Sequence, residues 1–118
     1  MLFNFSCSDL NFDVVVVGGG TSGVASAIQS SRLGSKTLLI EESNWLGGML
    51  TSAGVSAVDG NYKMPSGFLK EFRDSLVSYY GHLDSLKTGW VSNFMFEPSV
   101  GNRILKDIAK QENNLTIC

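Results

Sequence analysis

The sequence predicts an α/β fold with a parallel sheet that is begun here and left incomplete, and three observations carry that prediction. A short β-branched run, Phe12 to Val17 with four consecutive valines, leads directly into Gly18-Gly19-Gly20-Thr21-Ser22-Gly23. A helical stretch from Ser22 to Leu33 follows the glycines. A second apolar run, Thr37 to Ile40, comes after it and is closed by Glu41 and Glu42. Strand, glycine turn, helix and strand within about thirty residues make a βαβ unit, of the Rossmann-like kind that binds FAD or NAD(P).

Each element has its own justification. Residues 1–11 are expected as an N-terminal tail. The run from Phe12 is too short for a useful helix and rich in valine, so it is expected as a strand buried on both faces of a parallel sheet. In the first helix Val24, Ala27, Ile28 and Leu33 recur at helical spacing, with Ser26, Gln29, Ser30 and Arg32 outside. Gly34 stands where a helix stop in the left-handed conformation belongs. Residues 44–97 are expected as a loop and helix excursion after strand two. Its first part is glycine-rich and irregular, with a turn at Asp59-Gly60-Asn61, and loops of that length in compact domains are commonly functional. Ser66 to Tyr80 is a second helix, apolar at Phe68, Leu69, Phe72, Leu76, Tyr79 and Tyr80, polar at Lys70, Glu71, Arg73 and Asp74, with Gly81 as cap. Trp90, Phe94 and Phe96 suggest a strand or packed loop between Leu83 and Phe96. A third helix starts near Pro98, which suits a first helical position, and turns Val100, Ile104, Leu105 and Ile108 inward. Leu115 to Cys118 begins another strand. Residues 12–118 are therefore expected as the N-terminal part of a nucleotide-binding domain.

Composition narrows the function classes. With 118 residues, 43% apolar and 17% charged, the chain can bury one small core. It is short for holding a dinucleotide and a substrate in separate regions. A net charge of −2 supplies no basic patch, so nucleic acid is not an expected partner. Cys7 and Cys118 have no companions at metal-ligand spacing, which implies no metal and two thiols in a reducing compartment. Residues 1–10 lack the layout of a secretory signal, and no apolar stretch approaches the roughly 20 residues of a membrane span. Cytoplasmic location is the expectation, with the sequons at Asn4 and Asn114 as chance matches.

The glycine turn carries the chemistry. Gly18, Gly20 and Gly23 form G-x-G-x-x-G. The first glycine permits the tight turn out of the strand, the second lets backbone approach a pyrophosphate, and the third lets helix pack on strand. Main-chain N–H groups at the helix start, backed by the helix dipole, then face the phosphates. No Lys or Arg lies between Val14 and Ser31, so any phosphate here is held by those donors alone. Glu41 stands 18 positions after Gly23, close to the ~20 expected of a ribose-binding acid. Its charge opposes a 2′-phosphate and so disfavours NADP. The alternative for these residues is a mere tight turn with a solvated glutamate. Glu42 is read as a surface neighbour, His82 as a solvated cap, Trp45 and Trp90 as packing residues, and Met49 and Met64 as gap fillers.

The stretch Asp13 to Gly23 resembles the ADP-binding start of two-dinucleotide-binding-domain flavoproteins. The longer pattern G-x-G-x-x-G-x3-A-x6-G is met in full, with Ala27 and Gly34 in place. The segment Glu41-Glu-Ser-Asn-Trp-Leu-Gly-Gly-Met-Leu-Thr51, then Ser-Ala-Gly, is similar to the corresponding part of the FAD-dependent oxidoreductase family. Pro65-Ser-Gly-Phe-Leu-Lys-Glu-Phe and Phe96-Glu-Pro-Ser-Val also resemble it. The resemblance runs through residues 12–118 and is strongest through Thr51. It implies FAD as cofactor, with Gly18, Gly20, Gly23 and the first helical turn (Thr21, Ser22) on its pyrophosphate. It further implies Glu41 on the adenosine ribose, and Gly47, Gly48 and Met49 along the path toward the flavin. It implies a flavoenzyme acting on a small redox substrate, with the substrate domain and catalytic residues outside these 118 residues and this segment inactive alone. Two alternatives stay open on the residues themselves: an NAD-binding dehydrogenase domain, and a non-catalytic truncated remnant.

Overall fold

A computed structural model describes residues 11–90 and 92–118. The tail at residues 1–10, with Cys7 and Asn4, lies outside the described residues. Three strands, β1 (Val14–Val17), β2 (Thr37–Ile40) and β3 (Leu115–Ile117), form one parallel sheet in the order β1-β2-β3. Val16, Leu39 and Ile117 share one register line, and Val15, Leu38 and Thr116 the next. Three helices accompany the sheet: α1 (Thr21–Arg32), α2 (Gly67–Tyr80) and α3 (Pro98–Lys110). This is the α/β, Rossmann-like arrangement that the sequence predicts, with an incomplete sheet.

The elements follow from local chemistry. α1 buries Val24, Ala27 and Ile28 against the sheet and ends where Gly34, at φ 94°, turns the chain toward β2. α2 ends at Gly81, at φ 87°, whose N–H closes on the Val77 carbonyl. α3 has Pro98 in its first turn and buries Val100, Ile104, Leu105 and Ile108, the four residues its spacing selects. Between the last two helices the chain is a packed loop. Its Phe94 and Phe96 rings meet Phe72 of α2 at 6.2 and 5.3 Å, the second contact edge-on.

Arg32, in the last turn of α1, joins three elements. Its two terminal nitrogens reach the Glu71 carboxylate of α2 at 2.7 and 2.8 Å, and its Nε reaches Glu112, just past α3, at 2.7 Å.

Several expectations fail at the surface. Among the described residues β1 is covered on one face only: side chains alternate along a strand, and Val15 and Val17 remain 53% and 79% exposed. Ile40 shares that open face. Trp90 is 98% exposed, so it does not act as a packing residue among the described residues. Met49 and Met64 are exposed as well, so neither fills a gap. Tyr79 leaves the apolar face of α2 and lies under the Arg103 guanidinium of α3, 4.7 Å from the ring centre.

Candidate functional site

The turn between β1 and α1 is where the predicted residues converge. Gly18 leaves β1 at φ 95°, a conformation that side-chain-bearing residues rarely adopt. A Cβ on Gly23 would lie 1.9 Å from the Gly18 carbonyl oxygen, so the third glycine is required for the helix to start against the turn. Gly20 differs from both. Its φ is −62°, and a Cβ there would meet nothing within 4 Å. Among the described residues nothing requires glycine at this position.

Gly20 is also the N-cap of α1, and no side chain caps that helix. Its first turn carries no acidic residue. The opening N–H groups of an α-helix have no intrahelical partners, and here they adjoin the open space over Gly20, at the positive end of the helix dipole. Thr21 and Ser22 are exposed at this end. The Thr21 hydroxyl donates to the Gly47 carbonyl at 2.9 Å.

Gly47 and Gly48 are brought onto the turn. The Gly47 N–H donates to the Gly19 carbonyl at 2.8 Å, so the two segments pair as a short parallel bridge. Both glycines are left-handed, at φ 109° and 53°. A Cβ on Gly47 would strike Leu105 and Thr51 at 2.7 and 2.8 Å, and one on Gly48 would lie 3.0 Å from Gly20 Cα. The pair therefore has a packing reason of its own, which is to let one loop lie against another. Met49 follows on a 3-10 turn and projects outward.

Glu41 completes the cluster at the end of β2. One carboxylate oxygen accepts the Gly19 N–H at 2.5 Å and the other accepts the Ser43 N–H at 3.0 Å. Ser43, through its hydroxyl and amide, and then Gly19 hold the carboxyl below its ordinary value. It is an ionised acceptor fixed by main chain on both oxygens. Glu42 is exposed beside it. His82 lies far along the chain, exposed, accepting the Asp84 N–H in a short 3-10 turn.

The residues that secure this arrangement escape sequence reasoning. Asn102 of α3 accepts the Leu46 N–H at 2.9 Å, Lys106 donates to the Asn44 carbonyl at 2.5 Å, and the buried Thr51 hydroxyl donates to the Leu46 carbonyl at 2.6 Å. Their partners are backbone groups more than fifty residues away in the first two cases, and no periodicity or motif signals such a contact. Among the described residues no three His, Cys, Asp or Glu side chains group as a metal site, and no helix is long and apolar enough to cross a membrane.

A glycine turn without a basic residue, an uncapped helix start and a fixed acid at the end of the second strand match what comparison with known proteins finds. The model of the family described as FAD dependent oxidoreductase matches residues 13–118. The chain belongs to the FAD-dependent oxidoreductase family. It is 30% identical over 91 residues to a carotenoid phi-ring synthase of Chlorobaculum tepidum, covering 77% of this chain and 13% of that protein. It is 42% identical over 69 residues to a glutathione reductase of Debaryomyces hansenii, covering 58% of this chain and 14% of that one. A mitochondrial dihydrolipoyl dehydrogenase of Arabidopsis thaliana is 48% identical over 52 residues, 44% of this chain and 10% of the relative. The chain thus spans 14% or less of the length of each of these relatives. FAD is the cofactor of the family to which the chain belongs.

Proposed function

We propose that residues 12–118 hold the ADP half of FAD, with residues 44–97 as the excursion that closes over the turn. The observation that carries this reading is Gly20. Its missing Cβ has no use inside the chain, and the open room it leaves adjoins uncapped N–H donors. In this reading Gly18, Gly20, Gly23 and the Thr21-Ser22 turn hold the pyrophosphate through main-chain donors. Glu41 accepts from the adenosine ribose. The backbone of Gly47 and Gly48 walls the groove, and the exposed Met49 side chain offers it an apolar flank toward the flavin. FAD supplies the redox chemistry when bound. What this chain's own residues do is bind, orient and select.

Catalysis belongs to a longer chain in this reading. The catalytic residues, the substrate domain and a small redox substrate lie outside these residues, and the segment alone has no turnover. The relatives that support an oxidoreductase are several times longer. A cytoplasmic location, with neither membrane nor nucleic acid as partner, is part of the same proposal and rests on composition.

The test is calorimetric titration of the purified chain with ADP and with FAD. Binding of both in one-to-one ratio, weakened about tenfold or more by Glu41→Ala through loss of charge-assisted hydrogen bonds, is the expected result. A chain that binds neither nucleotide overturns the proposal. An Ala variant of unchanged affinity removes Glu41 from the site.

A further inference from the structure

The G-x-G-x-x-G spacing leaves the residue between its first two glycines unspecified. Here that residue is Gly19, and it is buried. Unlike Gly18, it does not adopt a left-handed φ, so its backbone conformation is open to any residue. Its glycine identity has a different cause. A Cβ on Gly19 would lie 2.8 Å from the Glu41 Oε2, and 3.0 Å from the Glu41 Cβ and Cγ. At the same time its N–H donates to that Oε2 at 2.5 Å.

We infer that Gly19 is a positioning residue for Glu41, setting where the carboxylate stands and thereby which adenosine ribose the site accepts. The inference rests on the reading of this site as an ADP site and adds a selectivity element to it. Its physical basis is how the carboxylate is shared. An ionised carboxylate offers about four acceptor positions on its two oxygens. Gly19 takes one on Oε2 and Ser43 takes one on Oε1. Acceptor capacity is left on the carboxylate for a further donor, and the two main-chain bonds orient it. That geometry suits a ribose hydroxyl donating to a fixed acceptor. It also denies the carboxylate any freedom to turn away from a 2′-phosphate, which can only repel it. A side chain at position 19 removes both effects, because the Cβ stands where the carboxylate rests. The contacts with Oε2 and Cγ are relieved by the carboxylate swinging off its donors, while the 3.0 Å contact with the Glu41 Cβ asks for a small shift of the backbone at the end of β2.

Gly19→Ala tests this on the 118-residue chain. Affinity is measured for ADP, for 2′-deoxy-ADP and for ADP bearing a 2′-phosphate. The wild type should prefer ADP to the deoxy compound by about tenfold, the weight of one charge-assisted hydrogen bond. In Gly19→Ala that preference should collapse toward unity, the rejection of the 2′-phosphate should weaken, and the chain should stay folded with a melting temperature lowered by no more than about a few degrees. Glu41→Gln should show the same collapse, and the double variant should add little, because both changes remove one interaction. A Gly19→Ala chain that keeps the wild-type ratio overturns the inference while leaving the ADP site intact. Failure of the wild type to bind any adenine nucleotide overturns both. A nucleotide-free measurement covers the case in which the variant does not fold. In the wild type the Gly19 amide resonance should move as Glu41 titrates, and in Glu41→Gln it should stay still. An amide indifferent to that titration also overturns the inference.

Discussion

Gly20 and Gly23 belong to one pattern, yet alanine at each should fail in a different assay. At Gly23 the new Cβ meets the Gly18 carbonyl oxygen at 1.9 Å, a backbone atom that cannot yield without moving the turn. Gly23→Ala should therefore cost folding stability, on the order of 1–3 kcal/mol or more as overpacking does, read as a lowered denaturation midpoint. At Gly20 the Cβ enters open space. Gly20→Ala should lower the midpoint only by the preference of an N-cap for glycine over alanine, on the order of 1 kcal/mol or less, while ADP affinity falls. A Gly20→Ala chain that binds ADP as well as the wild type would show that the room over the turn is not ligand space. Acidity separates Glu41 from its surroundings in a related way. Its carboxyl is held below the ordinary 4.5 by Ser43 and Gly19. A depressed carboxyl contributes stability above the unfolded value and loses it as pH falls through the folded one. ADP affinity should accordingly hold down through pH 4.5 and drop only below it, and Glu41→Gln should flatten that drop. Loss of affinity already near neutral pH would point to another group.

At the scale of elements, the Arg32 clamp is the clearest tie between α1, α2 and the end of α3. The Glu71 carboxyl is lowered chiefly by its hydrogen bonds from Arg32, and Arg32 is raised in turn, first by Glu71. The groups are partly exposed, so the attraction is screened. Its geometry, with two parallel bonds to Glu71 and a third bond to Glu112, makes it a network and not an isolated surface pair. Arg32→Lys keeps the charge but loses the planar fork. It should lower stability by about 1 kcal/mol, a few degrees in melting temperature for a chain of this size, with a smaller loss in high salt. An unchanged melting temperature would mean the clamp is ornamental to the fold. The sequence placed Arg32 correctly on the outer side of α1, and it could not place Glu71 or Glu112 opposite. Ion-pair partners forty and eighty residues away are set by how helices pack, which no local period encodes. The helices themselves were legible because Val24, Ala27, Ile28 and Val100, Ile104, Leu105, Ile108 repeat at helical spacing. Within the candidate site, the glycines and Glu41 stand out by motif spacing, and the structure brings them together at one turn. Asn102, Lys106 and Thr51 do not stand out, since many polar residues could serve a carbonyl or amide. Trp90 and the two methionines misled because apolar character says nothing of whether a neighbour is present.

The whole molecule has one finished side and one open side. Val15, Val17 and Ile40 present an apolar face that nothing in the described chain covers. Contiguous exposed apolar surface of this kind binds hydrophobic dyes and lowers solubility. Val15→Thr with Val17→Thr should reduce dye fluorescence while leaving the melting temperature within a few degrees, since neither side chain is buried. Undiminished fluorescence would locate the apolar surface elsewhere, with Trp90 the next residue to change. The finished side carries a different implication. The loop that walls the glycine turn is held from behind by α3: Asn102 takes the Leu46 amide, Lys106 the Asn44 carbonyl, and Leu105 fills the space against Gly47. Asn102→Ala should weaken ADP binding without touching the nucleotide, and unaltered affinity would show that the loop stands without its tether. Every residue proposed to touch FAD has been synthesised by Met49, yet the wall they share cannot set until α3 follows. During synthesis, then, the earliest-made part of this unit is among the last to become competent, and stalled chains with Glu97 as the last residue outside the exit tunnel should fail to retain the nucleotide that the released chain holds.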